Sequence, residues 1–182
     1  RHVAFSPGVV NLLTFDGHHF GQGSNLSRSL SFKDGQYFPV DHLPAPHAGN
    51  ADEVLHLVEK AMQGNAHLAV FIEPLPQRSM QEVPATFLTR LMQLSRQHGV
   101  PVVYNETASA KFQYDPNHYF ASGVPGLMPD AFMCFLGGQA GIVATQKKHF
   151  MDKPLMMIST WDGDEFSFAH YHQSMQQVLK DK

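Results

Sequence analysis

The stretch His98-Gly99-Val100-Pro101-Val102-Val103-Tyr104-Asn105-Glu106 narrows the fold of this chain more than any other. A helical stripe (Phe87, Leu88, Leu91, Met92, Leu94) runs up to a glycine, a short β-branched run follows, and a polar pair closes it. A mostly apolar strand fed by a helix is the signature of a buried parallel strand, because parallel neighbours need a crossover between them. In open α/β sheets, ligands gather beyond the carboxyl ends of the strands. Asn105 and Glu106 therefore stand where chemistry is expected.

The remaining chain repeats the rhythm. Val9 to Phe15 reads as an earlier strand, running into the glycine-framed loop Asp16-Gly17-His18-His19-Phe20-Gly21. From there to Gly49 the composition turns polar and rich in Ser, Gly and Pro, which predicts an ordered excursion with little regular structure. Asn50 reads as an N-cap with Glu53 three positions on, and Val54, Leu55, Leu57, Val58, Ala61 and Met62 form the buried stripe of a helix that Gly64 stops. His67 to Ile72 is a strand that ends in Glu73-Pro74, and Pro84 suits the first position of the next helix. Thr107 to Met128 reads as packed loop with one helical turn. Two strands follow, Ala131 to Leu136 and Ala140 to Ala144, around Gly137-Gly138. An amphipathic helix carrying Phe168, Tyr171, Met175, Val178 and Leu179 closes the chain. The prediction is an α/β fold, a mainly parallel sheet flanked by helices, with residues 1–182 as one domain. Flanking elements are short on both sides, as in a part of a larger protein.

Charge narrows the function. Net charge is -3 and only 16% of residues are charged, so neither a nucleic acid nor an anionic membrane is the expected partner. No apolar run approaches the roughly 20 residues that span a bilayer. The single Cys134 excludes an intramolecular disulfide, and the absence of a signal sequence at Arg1-His2-Val3 agrees with a cytoplasmic setting. Cys134 itself reads as a buried, inert thiol, since no base stands beside it. Among the 12 histidines, His18-His19 are adjacent and His170 and His172 are two apart, so no metal-ligand spacing emerges. Gly137-Gly138-Gln139-Ala140-Gly141 is followed by no helix start and is not a dinucleotide fingerprint.

The order of motifs resembles the large domain of class III aminotransferases, the pyridoxal-phosphate enzymes of the ornithine and acetylornithine type. Phe15-Asp16-Gly17-His18-His19-Phe20-Gly21 resembles the Phe-Glu-Gly-x-Tyr-His-Gly loop of the family, and Ile72-Glu73-Pro74-Leu75 its Val-Glu-Pro-Val. Phe87-Leu88 through His98-Gly99 to Asn105-Glu106 follows the Phe-Leu…His-Gly…Asp-Glu block without a gap. Pro129-Asp130, Leu136-Gly137-Gly138 and Gly141-Ile142-Val143 resemble Pro-Asp…Leu-Gly-Gly…Gly-Ala-Val, and Ser159-Thr160-Trp161-Asp162-Gly163-Asp164 resembles Gly-Thr-Phe-Gly-Gly-Asn. The resemblance implies the fold-type I transferase architecture and a pocket of His19, Phe20, Glu73, Asn105, Glu106 and Thr160. It places His19 at the ring-stacking Tyr, and Thr160 at the Thr that reaches a phosphate across a dimer.

The departures fall on the chemistry. Members of the family join pyridoxal phosphate to a Lys and hold its ring nitrogen protonated with the Asp of the Asp-Glu pair. Asn105 stands at that Asp, and a neutral amide supplies no charge there. The Ser-Lys expected before Leu-Gly-Gly is missing from Cys134-Phe135-Leu136-Gly137-Gly138, while Lys111, Lys147 and Lys148 lie elsewhere. The expectation is a catalytically inactive relative with a structural, dimerisation or interaction role, no cofactor, and a second copy or other domains of its parent as partner. Two alternatives stand beside it. One is an active pyridoxal-phosphate aminotransferase whose Lys lies elsewhere in a longer chain. The other is non-covalent binding of a small molecule by Glu73, His19, Asn105 and Thr160. Glu73 and Glu106 each read either as an acid or as a structural carboxylate bonding backbone behind the sheet edge.

Overall fold

The computed structural model describes residues 11–64, 66–137, 140–150 and 164–180. In chain order the elements are β1 (Asn11–Phe15), α1 (Asn25–Ser31), β2 (Val40–Leu43), α2 (Ala51–Gly64), β3 (His67–Ile72), α3 (Ala85–His98), β4 (Val102–Asn105), β5 (Ala131–Gly137), β6 (Ala140–Thr145) and α4 (Glu165–Lys180). The sheet runs β2-β1-β3-β4-β5-β6. Its pairs are parallel except β5 with β6, which is antiparallel. This is the expected α/β architecture.

Helices cover the two faces unequally. On one face Val54, Val58 and Met62 of α2 and Phe87, Leu88, Leu91 and Met92 of α3 pack on Leu13, Val70, Ile72, Val102 and Tyr104 from the strands. On the other, Leu30 of α1 meets Leu12, Val40 and Ala69, with Phe20 in the same cluster. Burying such side chains removes apolar surface from water at about 25 cal/mol per Å², so the β1–β4 half carries most of the stability. Gly99 ends α3 in the left-handed region (φ 69°), its N–H turned back to the carbonyls of Ser95 and Arg96.

Three local expectations are corrected. The polar stretch after Gly21 holds a helix and a strand. Ser24 and Ser27 cap α1 reciprocally, and the buried Ser29 hydroxyl accepts the N–H groups of Tyr37 and Phe38, so serines do the ordering that apolar periodicity does elsewhere. Asn50 spends its amide on the preceding loop, accepting from the His47 N–H at 2.8 Å and donating to the Ala45 carbonyl at 3.0 Å. Pro84 flanks α3 in extended geometry instead of starting it. The last helix forms, but none of its residues is buried, and Phe166 is 84% exposed. Its Tyr171 hydroxyl meets that of Tyr119 at 3.0 Å. No helix among the described residues is long and apolar enough to cross a membrane.

Candidate functional site

The chain leaves β1 through α1 on one face of the sheet and leaves β3 through α3 on the other. β1 and β3 are neighbours, so their exit loops part to opposite faces and open a crevice at the carboxyl edge. Such a switch point is where open α/β sheets bind ligands.

Glu73, one residue beyond β3, is fully buried at the floor of this edge. Its Oε2 accepts the His19 N–H at 2.7 Å. Its Oε1 accepts the Gln77 side-chain amide at 3.1 Å, the Gln77 N–H at 3.4 Å and the Asn105 Nδ2 at 3.4 Å. Burial outweighs these donors and pushes the carboxyl up to about 7. The Glu73 N–H in turn donates to His18 Nδ1 at 2.9 Å, which puts the His18 proton on Nε2. Burial pushes His18 down to about 3, so the imidazole is neutral, and its Nε2 has no hydrogen-bond partner.

Asn105 ends β4 with its amide wholly engaged. Nδ2 donates to the His19 carbonyl at 2.6 Å and to Glu73, while Oδ1 accepts the Thr107 N–H at 3.1 Å and the Thr107 hydroxyl at 2.6 Å. Two protons and two lone pairs are all that such an amide has. Thr107 Oγ1 also accepts the Phe135 N–H at 3.1 Å, which ties the knot to β5.

The sequence-predicted residues divide. His19, Glu73 and Asn105 come together. Phe20 lies in the second apolar cluster, edge-on to Phe71 at 5.6 Å between centroids. Glu106 turns away and accepts the N–H groups of Ala121 and Ser122 at 3.0 and 2.7 Å and the Ser109 hydroxyl. Thr160 lies outside the described residues. Sequence reading missed His18, Gln77, Arg78 and Thr107. Their closeness to Glu73 or Asn105 in sequence was the available signal for Gln77, Arg78 and Thr107.

At β5 the strand runs on past the end of β4, since Asn105 pairs with Met133, and turns back into β6 at Gly137 and Ala140. Cys134 in this extension is buried, and burial pushes its thiol up to about 11. Among the described residues no group of three or more His, Cys, Asp or Glu could hold a metal ion.

No protein-family model matches the sequence, and no curated protein matches it. Solved structures do. A thermostable (S)-enantioselective omega-transaminase from Thermomicrobium roseum superposes with a TM-score of 0.77 at 16% identity, over 96% of this chain and 45% of that one. The lysine aminotransferase from M. tuberculosis in its internal aldimine form gives 0.77 at 15% identity, over 94% and 44%. The ornithine aminotransferase from Toxoplasma gondii gives 0.70 at 16%, over 97% and 42%. These are class III pyridoxal-phosphate aminotransferases, and the chain has their fold-type I architecture over less than half of their length.

Proposed function

We propose that this chain is an aminotransferase-fold domain that no longer carries cofactor chemistry and serves as a structural or interaction module, pairing with a second copy or with other domains of its parent. One observation carries the reading: Asn105, at the position of the family's Asp, has every proton and lone pair of its amide bound to His19, Glu73 and Thr107. When bound, pyridoxal phosphate supplies an electron sink that depends on an anion at its ring nitrogen. The described residues do not fit that group. Asn105 keeps no acceptor for a protonated ring nitrogen, and freeing one means breaking a bond to Thr107.

Two lysines stand away from the strand ends where an imine would form, while Lys111, in the loop after β4, lies near enough to Cys134 to act on its thiol. The turn between β5 and β6 contains none. Lys33 is held on Asp16 at 2.8 Å, and Lys148 pairs with Asp130, which bonds the N–H that starts β4, at the opposite edge of the sheet. An amine must stand at the strand end to form an imine there.

The test is to incubate the protein with pyridoxal phosphate, reduce with borohydride and digest for mass spectrometry. Scattered, sub-stoichiometric labelling of surface lysines is the expected result. A one-to-one adduct at a single lysine overturns the reading and restores the active aminotransferase.

A further inference from the structure

The chain carries three Asp-Gly pairs, Asp16-Gly17, Asp34-Gly35 and Asp162-Gly163, and no Asn-Gly. In such a pair the glycine nitrogen can close a ring on the side-chain carboxyl before it, because glycine has no Cβ to obstruct the approach. Whether the ring forms depends on how freely the two groups can meet. Asp162-Gly163 lies outside the described residues, and the other two pairs are held in contrasting ways.

Asp16 follows β1 and is fixed at both ends. Its N–H donates to the Leu43 carbonyl at 2.7 Å, and its Oδ2 meets Lys33 Nζ at 2.8 Å. Asp34 and Gly35 form a turn between α1 and β2, where both are exposed and Gly35 is left-handed (φ 67°). Among the described residues the Asp34 carboxylate has neither a hydrogen bond nor an ion pair, and the Gly35 N–H finds no acceptor. The Arg28 guanidinium stands beside the turn, its Nη2 3.8 Å from where a Cβ on Gly35 would lie. A positive charge there favours the anionic form of the amide, which is the nucleophile.

We propose that Asp34 is a site of spontaneous isoaspartate formation, and that Lys33 protects Asp16 from the same reaction by holding its carboxylate. The Gly35 nitrogen gives up its proton and attacks Asp34 Cγ; the new N–C bond forms, a Cγ–O bond breaks and water leaves. Water then opens the resulting succinimide at either carbonyl. Opening at the main-chain carbonyl leaves Gly35 joined through the Asp34 side chain and frees the α-carboxylate. No oxidant, metal or second substrate is consumed, and the net change is an isomerisation. The product has one more methylene in the main chain, just ahead of Tyr37 and Phe38, whose N–H groups Ser29 gathers, so the lead into the edge strand β2 loosens. None of this involves the Asn105 junction, so its outcome is independent of the proposed function.

The experiment is to age the whole chain in mildly acidic buffer at physiological temperature until a synthetic peptide of residues 31–37 in the same buffer has converted. Digestion and electron-transfer fragmentation then locate isoaspartate, and methylation by an isoaspartyl methyltransferase confirms its linkage. Asp34 is expected to carry about fivefold more isoaspartate than Asp16, the rate factor that one exposed ion pair is worth. Lys33→Ala, at an exposed position, should bring Asp16 up towards the level of Asp34. An Asp34 that stays unconverted overturns the proposal, as do equal amounts at Asp16 and Asp34 in the unaltered chain. So does a Lys33→Ala chain whose Asp16 remains inert, since the contrast would then not come from the ion pair.

Discussion

Glu73 and Glu106 occupy equivalent places, one residue past the ends of neighbouring strands, and both are fully buried. Neither has a cation within ion-pair distance among the described residues. Glu106 takes its donors, Ser109, Ala121 and Ser122, from the single return between β4 and β5. Glu73 takes its donors from the loop after β1, from its own turn and from the end of β4. One carboxylate pegs a loop, and the other joins three strand ends. The difference teaches where this rim is adjustable: a peg fixes one segment, whereas a junction responds to whatever moves any of the three.

The largest effect is expected at the peg. Glu106→Ala leaves two buried N–H groups and a hydroxyl without acceptors, and should lower stability by about 3–5 kcal/mol. Urea denaturation measures it; a loss under 1 kcal/mol would show that the loop finds other acceptors and that the contrast with Glu73 is weaker than drawn.

The junction should announce itself through pH. Glu73, raised from its ordinary 4.5 to about 7, binds its proton more tightly when folded. Its contribution is whole below about pH 4.5 and is lost as pH climbs to 7. His18 works in reverse: the unfolded imidazole protonates near its ordinary 6.5 and the folded one only near 3, so acid costs stability across that window. Each slope is about 1.4 kcal/mol per pH unit. Between pH 4.5 and 6.5 the two oppose, and their sum there is flat. Glu73→Gln removes one of them, so relative to the wild type the variant should gain roughly 3 kcal/mol from pH 4.5 to 6.5. Urea midpoints taken every half unit test this, and parallel profiles for wild type and variant would sink it.

Much of this architecture was written in local pattern, and much of the rim was not. The strands β3, β4 and β5 and the stripes of α2 and α3 obey one period each, and Gly99 ends α3 because a left-handed residue is needed there. Helix α1 hid because serines cap it and Ser29 gathers the next loop, work that leaves no apolar period. At the rim, Asn105 and Glu73 were legible as polar ends of apolar strands. Their meeting with His19 was not, since it joins segments 86 and 54 residues apart and depends on strand order. Phe20 looked like a neighbour of the ring-stacking position, but beyond the loop its ring turns into the cluster beneath α1. Arg78 was legible only as a near neighbour of Glu73 in sequence; its approach to Phe32 depends on the fold.

A smaller effect would sharpen the comparison at its centre. Asn105→Asp supplies the acid that the sequence resemblance leads one to expect at this strand end, but it takes the donor away from the His19 carbonyl and sets a second carboxylate where Nδ2 now stands 3.4 Å from Glu73. Two ionised carboxylates that close repel, and Glu73 holds its proton to still higher pH as a result. At pH 8 the substitution should cost about 1–3 kcal/mol, one lost buried bond plus the repulsion. At pH 5 Glu73 carries a proton and can donate it to the new carboxylate, which replaces the contact that Asn105 makes now. The cost should then fall by at least half. Thermal unfolding at the two pH values decides between the outcomes. An equal loss at both would mean that the Asn105 amide does not face Glu73, and the junction would reduce to a second peg.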